Sequence, residues 1–241
     1  MKEFIFSLLN RLYYAAYPLY KPLYFWYKKI SDKDKIQLLQ NHLKPSMKVL
    51  DIGANIGFYT QVLAECVGEN GEVWAFEPDE TNFRHLQENT QQFPQVSAVQ
   101  KAVGEKNKLL KLYFSDKLNV DHQTFDSGEG RNFKEIDCVS LDAYLPEDVC
   151  VDVIKMDIQG YEYFALQGMQ QLIERSSPLL LIGEFWPYAL HKAGIDAASY
   201  LQLLKSLGFE VTVEGFPHYT EVDFSAYKHQ KSFYTDIIAR K

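Results

Sequence analysis

The stretch Val49-Leu50-Asp51-Ile52-Gly53-Ala54-Asn55-Ile56-Gly57 constrains this chain more than any other. Lys48-Val49-Leu50 begins an apolar run that reads as a short buried strand. The run breaks at Asp51 and turns through Gly53. From about Gly57 a helix follows, with Phe58, Val62 and Leu63 on one face. Strand, glycine turn and helix open a doubly wound α/β sheet, and ligands bind at that turn. Without a Cβ, Gly53 suits a tight turn that a ligand approaches closely, and Gly57 suits close packing of the helix on the sheet.

Two nucleotide chemistries compete for such a turn. A dinucleotide site uses Gly-x-Gly-x-x-Gly, so that backbone N–H groups and the helix N-terminus hold a pyrophosphate. Gly53-Ala54-Asn55-Ile56-Gly57 lacks the middle glycine, and Asp51 stands just before the turn. A carboxylate there repels a diphosphate and attracts a cation. S-adenosyl-L-methionine (SAM) carries a sulfonium and an ammonium group and no phosphate. The next apolar segment, Glu72-Val73-Trp74-Ala75-Phe76-Glu77, ends in an acid before Pro78. An acid at that strand tip accepts hydrogen bonds from ribose hydroxyls in either kind of site. Asp51 and the absent glycine therefore favour SAM, and Asp51, Gly53, Asn55, Gly57 and Glu77 are the expected cofactor residues.

Four segments carry a family resemblance. They are Val49 to Thr60, Ala75-Phe76-Glu77-Pro78, Ala102-Val103-Gly104, and Val153-Ile154-Lys155-Met156-Asp157-Ile158-Gln159-Gly160-Tyr161-Glu162. In this order they resemble the FkbM-type methyltransferases, over roughly Lys48 to Phe209. The family usually has Glu where this chain has Gln159. The resemblance implies a Rossmann-like class I methyltransferase, with a seven-stranded, mostly parallel sheet, helices on both faces and an antiparallel last strand. It implies that the adenine ring lies near Ala102, and that the methyl acceptor is a hydroxyl of a small metabolite or sugar, in secondary metabolism.

The chain has 241 residues, 46% apolar and 24% charged, enough for one domain with a sizeable core. Its formal net charge of −7 argues against a nucleic-acid partner, which needs a basic surface. Cys66, Cys138 and Cys150 are widely spaced and form no Cys-x-x-Cys pair, so neither zinc nor a disulfide framework is expected. No apolar run is long enough to span a bilayer and no signal peptide is evident, so a cytoplasmic enzyme is the expectation.

Residues 1–45 read as a helical, aromatic-rich appendage to a SAM-binding domain at 46–241. Tyr13, Tyr14, Tyr17, Tyr20, Tyr24, Tyr27, Phe25 and Trp26 lie in it with Lys2, Arg11, Lys21, Lys28 and Lys29, and Pro18 and Pro22 are expected to break it into pieces. Four readings stand: helices packed on the domain, a lid over the cofactor, a membrane-surface segment, or a homodimer contact. Residues 1–30 are expected to shape access or association rather than hold up the core. Ser31 to Asp34 read as an N-cap cluster. Farther along, Tyr161 to Ile173 read as one helix. The segments near Leu109–Phe114 and Ile136–Leu141 read as a hairpin-like insert around a polar loop, 115–131, that holds Asn119, Asp121, His122 and Arg131.

Methyl transfer from SAM is an in-line displacement that must align donor and acceptor and usually removes an acceptor proton. Asp157 and Glu184 end the fourth and fifth strands, where reacting groups belong. Lys155 shares a face with Asp157. A buried lysine needs partners, and Asp51, Asp157 and Glu184 are the expected ones. His122 and His191 are further candidates for touching substrate. No side-chain cluster has metal-ligand spacing, although Asp157 and Glu184 would suit a shared Mg²⁺. The reading is SAM-dependent O-methylation through Asp157, Glu184, His122 and Lys155. Its alternatives are N-methylation of a modified peptide's amide, a dinucleotide-dependent oxidoreductase, and a silent SAM-fold scaffold.

Overall fold

The computed structural model describes residues 12–114, 123–125 and 130–241. Among the described residues, which open with a helical stretch at 12–15, α1 (Tyr17–Ser31) and α2 (Lys33–His42) come before β1 (Lys48–Ile52), α3 (Phe58–Val67), β2 (Glu72–Phe76), α4 (Glu80–Thr90) and β3 (Val96–Val99). The short strands β4 (Ala102–Val103), β5 (Lys108–Tyr113) and β6 (Phe133–Val139) follow, then α5 (Leu141–Tyr144) and β7 (Val153–Met156). The chain continues through α6 (Glu162–Gln167), α7 (Gln170–Arg175), β8 (Leu180–Phe185), α8 (Pro187–Lys192), α9 (Ala197–Ser206), β9 (Glu210–Val213) and β10 (Thr235–Arg240).

The main sheet has seven strands in the order β3-β2-β1-β7-β8-β10-β9. It is parallel except for β10, which runs antiparallel to both β8 and β9. The expected insert is a separate three-stranded sheet, β4-β6-β5, with β5 and β6 antiparallel.

Side chains alternate between two cores, as the strand period requires. Leu50, Ile52, Ile154, Met156, Leu181 and Phe185 face α6, α7 and α9. Val49, Val153, Leu180 and Ile182 face α2 and α3, where Leu39, Phe58 and Leu63 pack against them. Asp51, Lys155 and Glu184 share the second face by register, and Asp51 lies directly opposite Lys155. Among the described residues no helix is long and apolar enough to cross a membrane.

Several local expectations needed correction. Pro22 does not break the N-terminal segment but sits inside α1, with Pro18 in its first turn. Pro22 is exposed, so water reaches the carbonyl that its missing N–H leaves free. Asp32 precedes α2 without capping it through its side chain, because that carboxylate is taken by Lys28, Ser31 and the Tyr59 hydroxyl. Tyr161 to Ile173 form two helices rather than one. They part at Gly168, where a Cβ would lie 1.9 Å from the Gly104 carbonyl oxygen. Asp142, which follows a strand and reads as a helix cap, is one, and it caps α7 across space by accepting from Gln171 N and Leu172 N. A Cβ on Gly57, φ +86°, would meet Leu86 of α4 at 2.9 Å, so the close approach there is between helices and not to the sheet.

The N-terminal segment also contributes to the core. Tyr13 and Tyr20 are buried around Ile56 of the glycine turn. The Tyr13 hydroxyl donates to Asn82 Oδ1 at 2.5 Å, and the Tyr17 ring stacks on His85 at 3.4 Å.

Candidate active site

A cavity of about 800 Å³ opens at the carboxyl ends of β1, β2, β7 and β8. Its floor is the glycine turn. Gly53 (φ +80°), Asn55 (φ +51°) and Gly57 (φ +86°) alternate left-handed conformations with ordinary ones. Asn tolerates that region better than other side-chain-bearing residues. A Cβ on Gly53 would stand 1.9 Å from the Asp157 carbonyl oxygen, so the turn touches the tip of β7 and only glycine fits.

Asn55 N–H donates to Glu77 Oε2 at 2.8 Å, and Asp79 N–H donates to Glu77 Oε1 at 2.9 Å. Glu77 is buried at the tip of β2 and lines the cavity. Burial pushes its carboxyl up to about 7, against the pull of the backbone donors. Phe76, Pro78, Ala102, Val103 and Leu112 continue the wall as an apolar strip beside Glu77. Thr124, from the polar insert, reaches the same wall. Its buried hydroxyl has no hydrogen-bond partner among the described residues.

Asp51 and Gly57 do not line this cavity. Asp51 is fully buried behind the floor, where Thr60 Oγ1 donates to its Oδ2 at 2.6 Å and Lys155 Nζ lies 3.2 Å from its Oδ1. Lys155 also donates to the Gly53 carbonyl at 3.0 Å and lies over the Tyr59 ring. Of its three expected partners, Lys155 therefore pairs directly with Asp51. It ties the glycine turn to β7 and presents positive charge to Asp157.

Asp157 and Glu184 both line the cavity. Gln159, itself at φ +56°, donates through Nε2 to Asp157 Oδ1 at 2.9 Å and to Glu184 Oε2 at 3.1 Å. The amide nitrogen thus fills the position between the carboxylates where a shared cation would sit. Burial works to raise the Asp157 carboxyl, but Lys155, Lys35, Lys28 and the Gln159 amide hold it below the usual range. Burial and the neighbouring charges of Asp157 and Glu162 push Glu184 well above that range. The two carboxyls are thus driven apart in proton affinity.

His122, Asp121 and Asn119 fall outside the described residues. His191 is exposed, packs against the His229 ring at 5.4 Å, and does not reach the cavity. It lies in the last turn of α8. The wall opposite the sheet comes from residues that the sequence reading did not assign to the site: Tyr20, Tyr24, Tyr27 and Lys28 of α1, Lys35 of α2, and Tyr59 of α3. The tyrosines were visible as a cluster, but which of them turn inward depends on how α1 docks.

The residues fit a nucleoside with a cationic tail. A buried carboxylate flanks an apolar strip with a hydroxyl that has no partner among the described residues, and a second carboxylate held ionised lies across the turn. Fold and site together define a class I SAM-dependent methyltransferase. The methyltransferase FkbM domain matches residues 51–211, and the chain belongs to that family. Among solved structures it is similar to the FkbM methyltransferase of Methylobacillus flagellatus, with 15% identity and TM-score 0.52, over 88% of this chain and 60% of that one. It is also similar to the SMU.1697c protein of Streptococcus mutans in complex with S-adenosylhomocysteine (SAH), with 12% identity and TM-score 0.52, over 87% and 96% of the two chains. A shorter likeness, 47% identity over 38 residues, is to protein-L-isoaspartate O-methyltransferase 1 of Arabidopsis thaliana, and it spans 16% of each chain.

Proposed function

We propose that this protein transfers the methyl group of SAM to a hydroxyl oxygen of a small metabolite or sugar. The observation that carries the reading is the Asp157–Gln159–Glu184 arrangement at the tips of β7 and β8, facing the cavity beside the glycine turn. SAM supplies an electrophilic methyl on a sulfonium centre. A hydroxyl is a weak nucleophile, and it gains from an acceptor for its proton as the new C–O bond forms. Asp157, kept ionised, is placed to accept that hydroxyl's hydrogen bond and to orient its oxygen. Glu184 lies beside it with a raised proton affinity, which makes its ionised form the stronger proton acceptor of the two. Gln159 holds both carboxyls without adding the third negative charge that a glutamate would bring.

In the same reading, Glu77 receives the ribose hydroxyls, Gly53 and Asn55 shape the floor under the tail, and Ala102 and Val103 face the base. Asp51 acts indirectly, by holding Lys155 and through it the Gly53 carbonyl. The test is to offer methyl-labelled SAM with panels of sugars, phenols and alcohols, and with peptide amides. Labelling of a hydroxyl acceptor that Asp157→Asn abolishes, at unchanged SAM affinity, supports the reading. Labelling confined to amide nitrogen overturns it.

A further inference from the structure

We propose that α1 is an interfacial helix whose outward stripe, Leu19, Leu23, Trp26, Tyr27 and Ile30, docks on a membrane surface carrying anionic lipid headgroups.

The helix has two apolar faces. One is spent on the domain: Tyr20 is buried beside Ile56, and Phe25 meets the Phe58 ring edge-on at 5.2 Å. The other faces outward. Leu19 is 62% exposed, Leu23 49%, Trp26 66%, Tyr27 46% and Ile30 59%. The spacing 19, 23, 26, 30 puts four of them in one narrow stripe, with Tyr27 at its margin. Large apolar side chains scattered singly on a surface need no explanation, but five on one side of a fifteen-residue helix do. The stripe is also held in place, because Tyr13, Tyr17 and Tyr20 fasten this segment to Asn82, His85 and Ile56.

Charge decides between occupants. The chain carries a net −7, yet residues 17–35 hold five lysines against two aspartates, and α1 itself contains no acid. A second copy using the same stripe would bring two locally basic helices together and two acidic bodies with them. Lys28 and Lys35 are paired with Asp32 and Asp236, but an anionic lipid surface attracts the remaining lysines, with Lys29 exposed beside the stripe. It also suits a stripe of Trp, Tyr, Leu and Ile, the composition of helices that lie in the headgroup region. The helix stands before residue 51, where the family match begins, so the shared domain does not account for it. Tyr27, Lys28 and Ser31 also line the cavity, which places one wall of the reaction chamber on the docking element.

Flotation of the full chain with phosphatidylcholine vesicles, with and without phosphatidylglycerol, tests this. The protein is expected to float with the phosphatidylglycerol vesicles and far less with phosphatidylcholine alone. Leu23→Glu with Trp26→Glu should cut the bound fraction by about tenfold or more. Lys29→Ala should cut it by roughly fivefold on anionic vesicles only. Melting temperature and SAM affinity should stay unchanged in both variants, since none of these side chains is buried or lines the cavity. Three results overturn the proposal. One is no flotation on either vesicle. Another is flotation that the double glutamate variant leaves intact, which would assign it to residues 1–11. The last is a dimer in size-exclusion chromatography that the double variant turns into a monomer, which would give the stripe to a second copy.

Discussion

Glu77 takes two backbone N–H donors and still faces the cavity, so it is fixed in place before any ligand arrives. Glu77→Ala should weaken SAM binding by about 1–3 kcal/mol, the cost of losing a charged hydrogen-bond partner, measured by calorimetric titration. Unchanged affinity in a folded variant would remove Glu77 from the cofactor site. Asp157→Asn keeps the shape but not the charge, and single-turnover rates should fall by roughly 10²–10⁴-fold with SAM affinity little altered. The competing outcome is a lower melting temperature with near-normal chemistry, expected if Asp157 only balances Lys155. At this scale the sequence was legible where a residue's location follows from its place on a strand: Glu77, Asp157 and Glu184 all line the cavity. For Asp51 the pairing with Lys155 was legible, but its withdrawal from the cavity towards Thr60 was not. Nor was the placement legible for Gln159, whose left-handed backbone aims its amide between two carboxyls, one of them 25 positions away.

The strand–turn–helix of β1 and α3 was readable because glycine spacing and apolar runs are local signals. The antiparallel β10 followed from family likeness, since nothing in Thr235–Arg240 encodes its direction. The helix α1 was the hard element. A proline at position 22 argues for a break, yet the helix continues because that position faces water and the opposite side is held by Tyr20 and Tyr24. This anchoring has a measurable consequence. Tyr20 is 2% exposed at the junction of α1 with the glycine turn. Tyr20→Ala should cost about 3 kcal/mol or more, the range for emptying a buried aromatic site. It should also weaken SAM binding, because Ile56 and the cavity wall lose their cover. Denaturant melts unchanged by the substitution would return the segment to the role of a removable appendage.

Across the molecule, three carboxyls among the described residues end with a raised proton affinity. Glu77 and Glu162 are each pushed up to about 7 by burial, and Glu184 is pushed well above its ordinary value. Each binds its proton more tightly folded than unfolded. Each therefore contributes stability that is fully present below the unfolded carboxyl value and is lost as pH rises through the folded one. Asp157, held low, contributes in the opposite sense, and its contribution is lost only as pH falls below the ordinary carboxylate range. Between about pH 5.5 and about pH 7.5 Asp157 stays ionised, so the ligand-free protein should melt at progressively lower temperature as pH rises. Ligand binding should work against part of that trend. Ribose hydroxyls donate to a carboxylate, so the bound state favours ionised Glu77, and affinity should tighten as Glu77 loses its proton. The rise in melting temperature on adding SAH should therefore be larger at the upper end of this range than at the lower. In Glu77→Gln, which has no proton to lose, that pH dependence should flatten while the slope of the ligand-free protein persists through Glu162 and Glu184. A ligand-induced rise that grows with pH equally in both proteins would place the titrating group elsewhere in the cavity, with Glu184 the next to substitute.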